Sequence, residues 1–233
     1  MKNLRLFLSV LLMSISTSVF AQYRYCSSYE DFCANKWTKL DTVYCESRSK
    51  AKQTWLGGND FKLTTGDEAT DKILKKEAFI VMDDDTLYLN TRSLRYEKTQ
   101  FENGYTKAIR VGKNDLMFVN MKIGKEAQTR MIASMVMGTV ASAINANSMM
   151  KQQVCYIISE GADTKGRIPI QLIDDDMVEK KISNNSDLLK EYYSEKDNDK
   201  RIRATHVIPI LEKAGKIAAG KGSILLQALG EQK

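Results

Sequence analysis

Histidine is almost missing from this chain: one, His206, among 233 residues. Imidazole metal centres use two or three histidines, and a histidine general base needs a partner beside it, so both chemistries have little to work with. The four cysteines, Cys26, Cys33, Cys45 and Cys155, form no CxxC pair, and none has a histidine at metal-ligand spacing. Only two prolines occur and there is no low-complexity tract, which excludes the compositions typical of disordered chains. Gly57-Gly58 and Gly220-x-Gly222 lack the strand-to-helix setting of a phosphate-binding loop. Charge of one sign is not concentrated either. The formal +6 is spread along a well-mixed sequence and offers no argument for nucleic acid as a partner. No cofactor and no metal site is expected.

What is present begins with an export signal. Lys2 and Arg5 make a positive start, Leu6 to Met13 an apolar run, and Val19-Phe20-Ala21 places small residues before Gln22. These are the parts of a cleavable secretory signal peptide, with cleavage expected between Ala21 and Gln22. The apolar run is too short for a comfortable membrane span. Cys26 lies behind Tyr23-Arg24-Tyr25 rather than at the cleavage point, which argues against a lipoprotein anchor. Loss of residues 1–21 leaves 212 residues with 33 basic and 29 acidic side chains, a formal +4. The expected organisation is one α+β domain over 22–218 and a loosely held tail over 219–233, in which Ile224-Leu225-Leu226 could form a short docking helix. The expected location is the periplasm or cell envelope, or outside the cell. In an oxidising compartment cysteines can pair, and three of the four crowd the start of the mature chain. Cys26–Cys33, closing a short loop, is the favoured disulfide, and Cys155 reads as a free thiol in a buried strand.

Alternation and turn residues sketch the elements. Ser27 and Glu30 have the S-x-x-E spacing of a capping box for a helix over about 28–35, and residues 39–46 look extended. Residues 55–60 read as a turn, and Asp67 as the cap of a helix over 68–76. Residues 78–82 and 86–90 flank Asp83-Asp84-Asp85 as strand, turn, strand. Tyr105–Val111 with Leu116–Asn120, and Val154–Ser159 with Arg167–Ile173, repeat that plan. The chain then turns helical, with helices opening at Asp174-Asp175-Asp176, near Asp187, and over 199–214, the last kinked or split by Pro209. The reading is α+β: a mostly antiparallel sheet of about six strands in hairpins, a central small-residue helix, and a C-terminal helical part.

That central helix, over about 124–150, contains twenty uncharged residues from Met131 to Met150. Ile132, Val136, Val140 and Ile144 make a bulky stripe at helical spacing. Ser134, Gly138, Ser142 and Ala146 make a small-residue stripe that would allow close backbone approach. Burial against the sheet is the leading reading. A membrane-touching or self-associating face and a true span are the alternatives, and Asn145 and Asn147 argue against the span. The acidic triplets lack the spacing of a calcium loop. A hairpin turn at Asp83–Asp85 and a helix N-terminus at Asp174–Asp176 explain them better. His206 is expected to be packed or solvated, and Tyr192-Tyr193 to lie on an amphipathic surface. The aromatics of the N-terminal half could line a groove, although no spacing proves one.

The chain resembles a family of secreted Bacteroidetes proteins filed under a domain of unknown function. The carrying residues include Ser28-Tyr29-Glu30-Asp31-Phe32, Asn35-Lys36-Trp37, the run Gly57–Asp67, Asp85–Asn90, Gly124–Gln128, Val154–Ser159 and Ile210–Gly215. The resemblance implies secretion and a family-wide small-residue helix, and transfers no catalytic residue. It also implies that Asp41-Thr42-Val43 and Asp85-Thr86-Leu87 are candidate O-glycosylation sites of the short Asp-Thr-aliphatic type. The functional expectation is a non-catalytic exported envelope protein, an interaction module for a protein partner or membrane surface. The rivals are an envelope hydrolase with acidic site residues and a membrane-inserting protein built on residues 131–150.

Overall fold

The computed structural model of the chain describes residues 23–48, 60–101, 103–122 and 153–230. The signal segment expected over 1–21 with its cleavage point at Ala21 and Gln22, the turn expected at 55–60 except Asp60, and the helix expected over 124–150 with Ser134, Gly138, Ser142 and Ala146 lie outside the described residues.

The elements run β1 (Arg24–Cys26), α1 (Tyr29–Cys33), β2 (Thr38–Lys39), β3 (Tyr44–Ser47), β4 (Phe61–Thr64), α2 (Glu68–Lys76), β5 (Ile80–Asp83), β6 (Thr86–Asn90), β7 (Leu94–Tyr96), β8 (Thr99–Gln100), β9 (Tyr105–Val111) and β10 (Asp115–Met121). They continue with β11 (Gln153–Ile158), β12 (Ile168–Pro169), β13 (Gln171–Leu172), α3 (Asp175–Ile182), α4 (Ser186–Tyr192), α5 (Asn198–Arg201), α6 (Ala204–Lys213) and α7 (Lys221–Gly230). The architecture is α+β, with more strands than the six expected. Ten form one sheet ordered β13-β11-β10-β9-β6-β5-β1-β2, with β4 joined to β9 and β3 to β4. Its pairings are antiparallel. The extra strands are short pieces of two to four residues at the ends and edges, below the length at which alternation is readable.

The two faces of the central strands alternate as a pleated ladder requires. Leu116, Phe118, Val154, Tyr156 and Ile158 face one cluster with Phe32, Phe79 and Phe101. Met117, Val119, Cys155 and Ile157 face the other, covered by Val178 of α3, Tyr192 of α4, Val207 and Leu211 of α6, and Leu225 of α7. A third cluster, around Leu74 of α2, packs Phe61, Val81, Tyr88 and Tyr105. Asn90 is buried there because its amide donates to the carbonyls of Leu74 (3.1 Å) and Ala78 (2.9 Å), groups at and beyond the open end of α2.

Local chemistry explains several boundaries. The Ser28, Asp67 and Asp174 side chains each accept a backbone N–H of the first turn of α1, α2 and α3, so the cap of α1 falls one residue later than the expected Ser27. Asp84 takes φ 49° in the β5–β6 turn, which short polar side chains tolerate. Three expectations need correcting. The hairpin drawn from Val154–Ser159 to Arg167–Ile173 splits: Gln171–Leu172 stays paired to β11, while Ile168–Pro169 leaves to pair in parallel with β7. Ile168 and Ile170 donate to Ser93 and Arg95, so the proline, which has no N–H, falls where the strand needs none. The helix expected over 199–214 breaks at Ile202–Arg203, where Arg203 is extended and bridges to Val154, not at Pro209. Pro209 stays inside α6, and exposed Thr205 carries the carbonyl that its missing N–H leaves unserved. Cys26 and Cys33 form no disulfide: all four cysteines are thiols. Cys26 points into the core, donates to the Lys36 carbonyl at 3.2 Å, and burial pushes its pKa up to about 12. Cys33 is a half-buried thiol packed against the cluster that holds Phe32.

Part of the stretch expected to be loosely held is a docked helix. Leu225 of α7 is 1% exposed, worth about 2 kcal/mol of burial. Gly222 lets α7 touch α6, since a Cβ there would lie 2.4 Å from Ile208 Cγ2. Its N–H donates to Glu212 Oε1 at 2.9 Å.

Candidate functional site

The ladder between β6 and β9 ends at the pair Leu87–Ala108, yet β9 continues to Val111 with β10 alone beside it. That leaves a notch in the sheet. A cleft of about 520 Å³ occupies it, within the range of small-molecule sites. Ala108 to Arg110 form its floor, Met82, Asp85 and Leu87 of the β5–β6 hairpin one wall, and Phe32, Asn35 and Trp37 a second. Gly215, Lys216 and Ala218 with Lys221 and Ile224 of α7 close the third side. Because the notch interrupts the sheet, side chains from both of its faces reach one cavity.

The aromatic wall is built by the end of α1. Asn35 takes φ 56°, its N–H donates to Phe32 and the Lys36 N–H to Asp31, the paired bonds of a Schellman stop. The chain thereby doubles back, setting Trp37 edge-on to Phe32 at 6.1 Å, and the Asn35 side chain accepts the Trp37 indole N–H at 2.7 Å. Two guanidinium groups lie against these rings. Arg110 stands 4.0 Å over Phe32 and is steadied by an Nη1 bond of 2.7 Å to the Lys113 carbonyl. Arg24 stands 5.2 Å over Trp37, with Nη2 3.7 Å from Met82 Sδ. Its buried Nε has no hydrogen-bond partner. Lys216 and Lys221 add positive charge at the rim, and Asp85 is the one acid among the described residues that line the cleft, with Lys221 Nζ 3.9 Å from it. An apolar and aromatic basin with an excess of cations can hold a flat apolar group and a negative charge together.

The densest polar cluster lies elsewhere, under the C-terminal helices. Asp175 accepts from Arg201 Nε at 2.9 Å and from the Tyr192 hydroxyl at 2.7 Å, and Arg201 Nη2 closes a second bond to it. Arg201 is 6% exposed, donates also to Asn198 and the Glu195 carbonyl, and stacks 4.8 Å over Tyr193. The Arg201 bonds, then that of Tyr192, hold the Asp175 carboxyl below the ordinary carboxylate range. Burial, then the Asp175 bond, pushes Tyr192 above the ordinary tyrosine range. Every strong donor here already meets an acceptor, which describes a structural tie and not a reactive group.

The other expected residues are dispersed. Tyr192 is a core residue rather than a surface one. His206 stacks on Tyr192 and its Nε2 lies 2.9 Å from the Tyr192 carbonyl, so it is packed and has no carboxylate as an orienting partner. Asp83–Asp85 is the β5–β6 turn and Asp174–Asp176 the start of α3. No cluster of three or more histidine, cysteine or acidic side chains suited to a metal occurs among the described residues. Thr42 is exposed and Thr86 half-buried in β6. No described helix is long and apolar enough to cross a membrane. Of the cleft, sequence reasoning had hinted only at Trp37 and the Asp83–Asp85 turn. Ile224 carries a signal only as part of a docking helix, and Arg110 and Lys221 carry none, since strand pairing and helix docking bring them to the cleft.

Fold and site together define an α+β chain with an amphipathic, cation-rich cleft in a notched antiparallel sheet, and no assembled catalytic set among the described residues. The chain belongs to a family of unknown function, DUF6563, whose match covers residues 24–218. That span includes every cleft residue except Lys221 and Ile224. No curated protein and no solved structure matches the chain.

Proposed function

We propose that the protein is an exported, non-catalytic binding module of the cell envelope and that the notch cleft is its ligand site. The observation that carries this reading is the cleft itself: three separate walls converge on a preformed amphipathic basin of about 520 Å³. Export rests on the three-part leader over residues 1–21. The non-catalytic part is supported by the way the strongest titratable groups are used. Asp175, Tyr192 and Arg201 satisfy one another, and His206 has a carbonyl for a neighbour.

The test has two arms. Residues 1–21 fused to a reporter active only outside the cytoplasm should confer activity, and a reporter left inside the cell would remove export from the proposal. Mature protein should be melted in the presence of a panel of small amphipathic compounds. Compounds that raise Tm should lose their effect in Ala218→Trp, a substitution at an exposed cleft residue that fills the cavity without disturbing the core. Turnover of a bound compound would overturn the non-catalytic reading.

A further inference from the structure

From the charges around the notch cleft we infer the class of its ligand: a small organic anion with a flat, apolar or aromatic body and a single carboxylate, sulfonate or phosphate. The inference rests on the reading of the cleft as a binding site and deepens it.

Three observations converge on this class. The lining side chains include three cations, Arg110, Lys216 and Lys221, against one acid, Asp85. The guanidinium of Arg24 is a fourth cation, resting on Trp37 and Met82, both of which line the cleft. Lys221 is the cation nearest Asp85, at 3.9 Å, and both lie at the mouth with Asp85 95% exposed, so this pair is weak and leaves the excess positive.

Arg110 is held in place before any ligand arrives. The Phe32 ring lies 4.0 Å beneath it and the Lys113 carbonyl takes one N–H. A guanidinium has five N–H donors in a planar fork that matches the two oxygens of a carboxylate or sulfonate, so most of the fork remains for such a group. An anion docking there loses little rotamer freedom on the protein side.

The rest of the basin is largely apolar. Phe32, Trp37, Leu87, Ala108, Ile109 and Ile224 supply ring and aliphatic surface on opposite sides. A neutral apolar ligand would leave the cation excess unmatched, and a small inorganic anion would leave this surface unfilled. A flat body carrying one negative group satisfies both.

The probes are anilinonaphthalene sulfonate, which has the body and the charge, and phenyl-naphthylamine, which has the same rings without the sulfonate. Binding to mature protein is measured by titration calorimetry and fluorescence. The sulfonate should bind at one site per chain and at least tenfold more tightly than the amine. Arg110→Gln, which keeps a side chain over Phe32 but removes the charge, should weaken the sulfonate by about tenfold and leave the amine unchanged. Ala218→Trp should abolish both, and added salt should weaken the sulfonate alone. Equal binding of the two probes, indifferent to Arg110→Gln but lost in Ala218→Trp, overturns the anion class while the cleft remains a binding site. Sulfonate binding that survives Ala218→Trp lies elsewhere and overturns the inference. Failure of both probes with native Tm and circular dichroism overturns the inference and the binding-module reading together.

Discussion

Asp175 takes its three hydrogen bonds from two side chains, and the helical half of the protein is tied through it. Arg201 is nearly buried, so removing its counter-charge leaves a desolvated cation. Asp175→Asn should therefore lower stability by about 3 kcal/mol, read from urea unfolding. The sign with pH follows from the depressed carboxyl. Its contribution is complete above the ordinary aspartate value near 4 and is lost as pH falls through the lower folded value. Wild type should show a steep acid limb there, and Asp175→Asn a shallower one. Tyr192 works in the opposite direction: its pKa is raised, so its contribution persists up to about pH 10 and is lost above. Cys155 offers a simpler check. It is fully buried and its pKa is raised by burial, so a thiol reagent at neutral pH should label it only after denaturant is added. Mass mapping of labelled native protein decides this, and rapid labelling of Cys155 would contradict the packing described. At this scale the sequence was legible where chemistry is local. The caps at Asp67 and Asp174 need only a side chain and the next turn, whereas at α1 two adjacent serines left the cap one residue out of place. It was not legible at Tyr192, because a tyrosine beside Lys190 and Glu191 looks solvent-facing until Asp175 and Arg201 arrive from seventeen residues before and nine after.

Among the elements, α7 and the end of α1 have the clearest sequence logic and the clearest tests. Gly222 faces Ile208 at a distance no side chain accommodates. Gly222→Val should push α7 off α6, cost about 2 kcal/mol, and raise hydrogen exchange in α7 before the rest of the chain. Asn35 holds a left-handed conformation at the end of α1. Asn35→Gly should preserve the melting temperature, whereas Asn35→Val should lower it by several degrees, since a branched Cβ resists that geometry. The two hairpins around Asp84-Asp85 and Gly112–Asn114 were readable because strands of four to seven residues and marked turns leave strong patterns. The short strands β2 and β8 were not, since two residues show no period, and Arg167–Ile173 read as one strand where the structure has two, β12 and β13. Pro209 shows the limit of breaker rules. A proline signals a missing hydrogen bond, but the helix broke where Arg203 gains a partner in β11, not where the bond is absent.

Over the whole molecule, the two-faced core follows from alternation in β10 and β11, and α+β class follows from strands preceding helices. The cleft does not follow from any stretch. It exists because β6 is shorter than β9, a difference set by where the Asp84-Asp85 turn falls. Lengthening that hairpin by two residues on each strand should extend the ladder past Ala108, fill the notch and remove probe binding while raising Tm, as calorimetry on such a variant would show.

The walls of the notch come from residues as far apart as Phe32 and Ile224, nearly the two ends of the described chain. A ligand seated between them would act as a clasp across the whole sequence. It would favour only molecules in which the first helix, the central hairpins and the last helix have all assembled, and its binding energy would add to global rather than local stability. Occupancy would then protect the chain from proteases in proportion to ligand concentration, and the protein's abundance would follow the supply of its ligand.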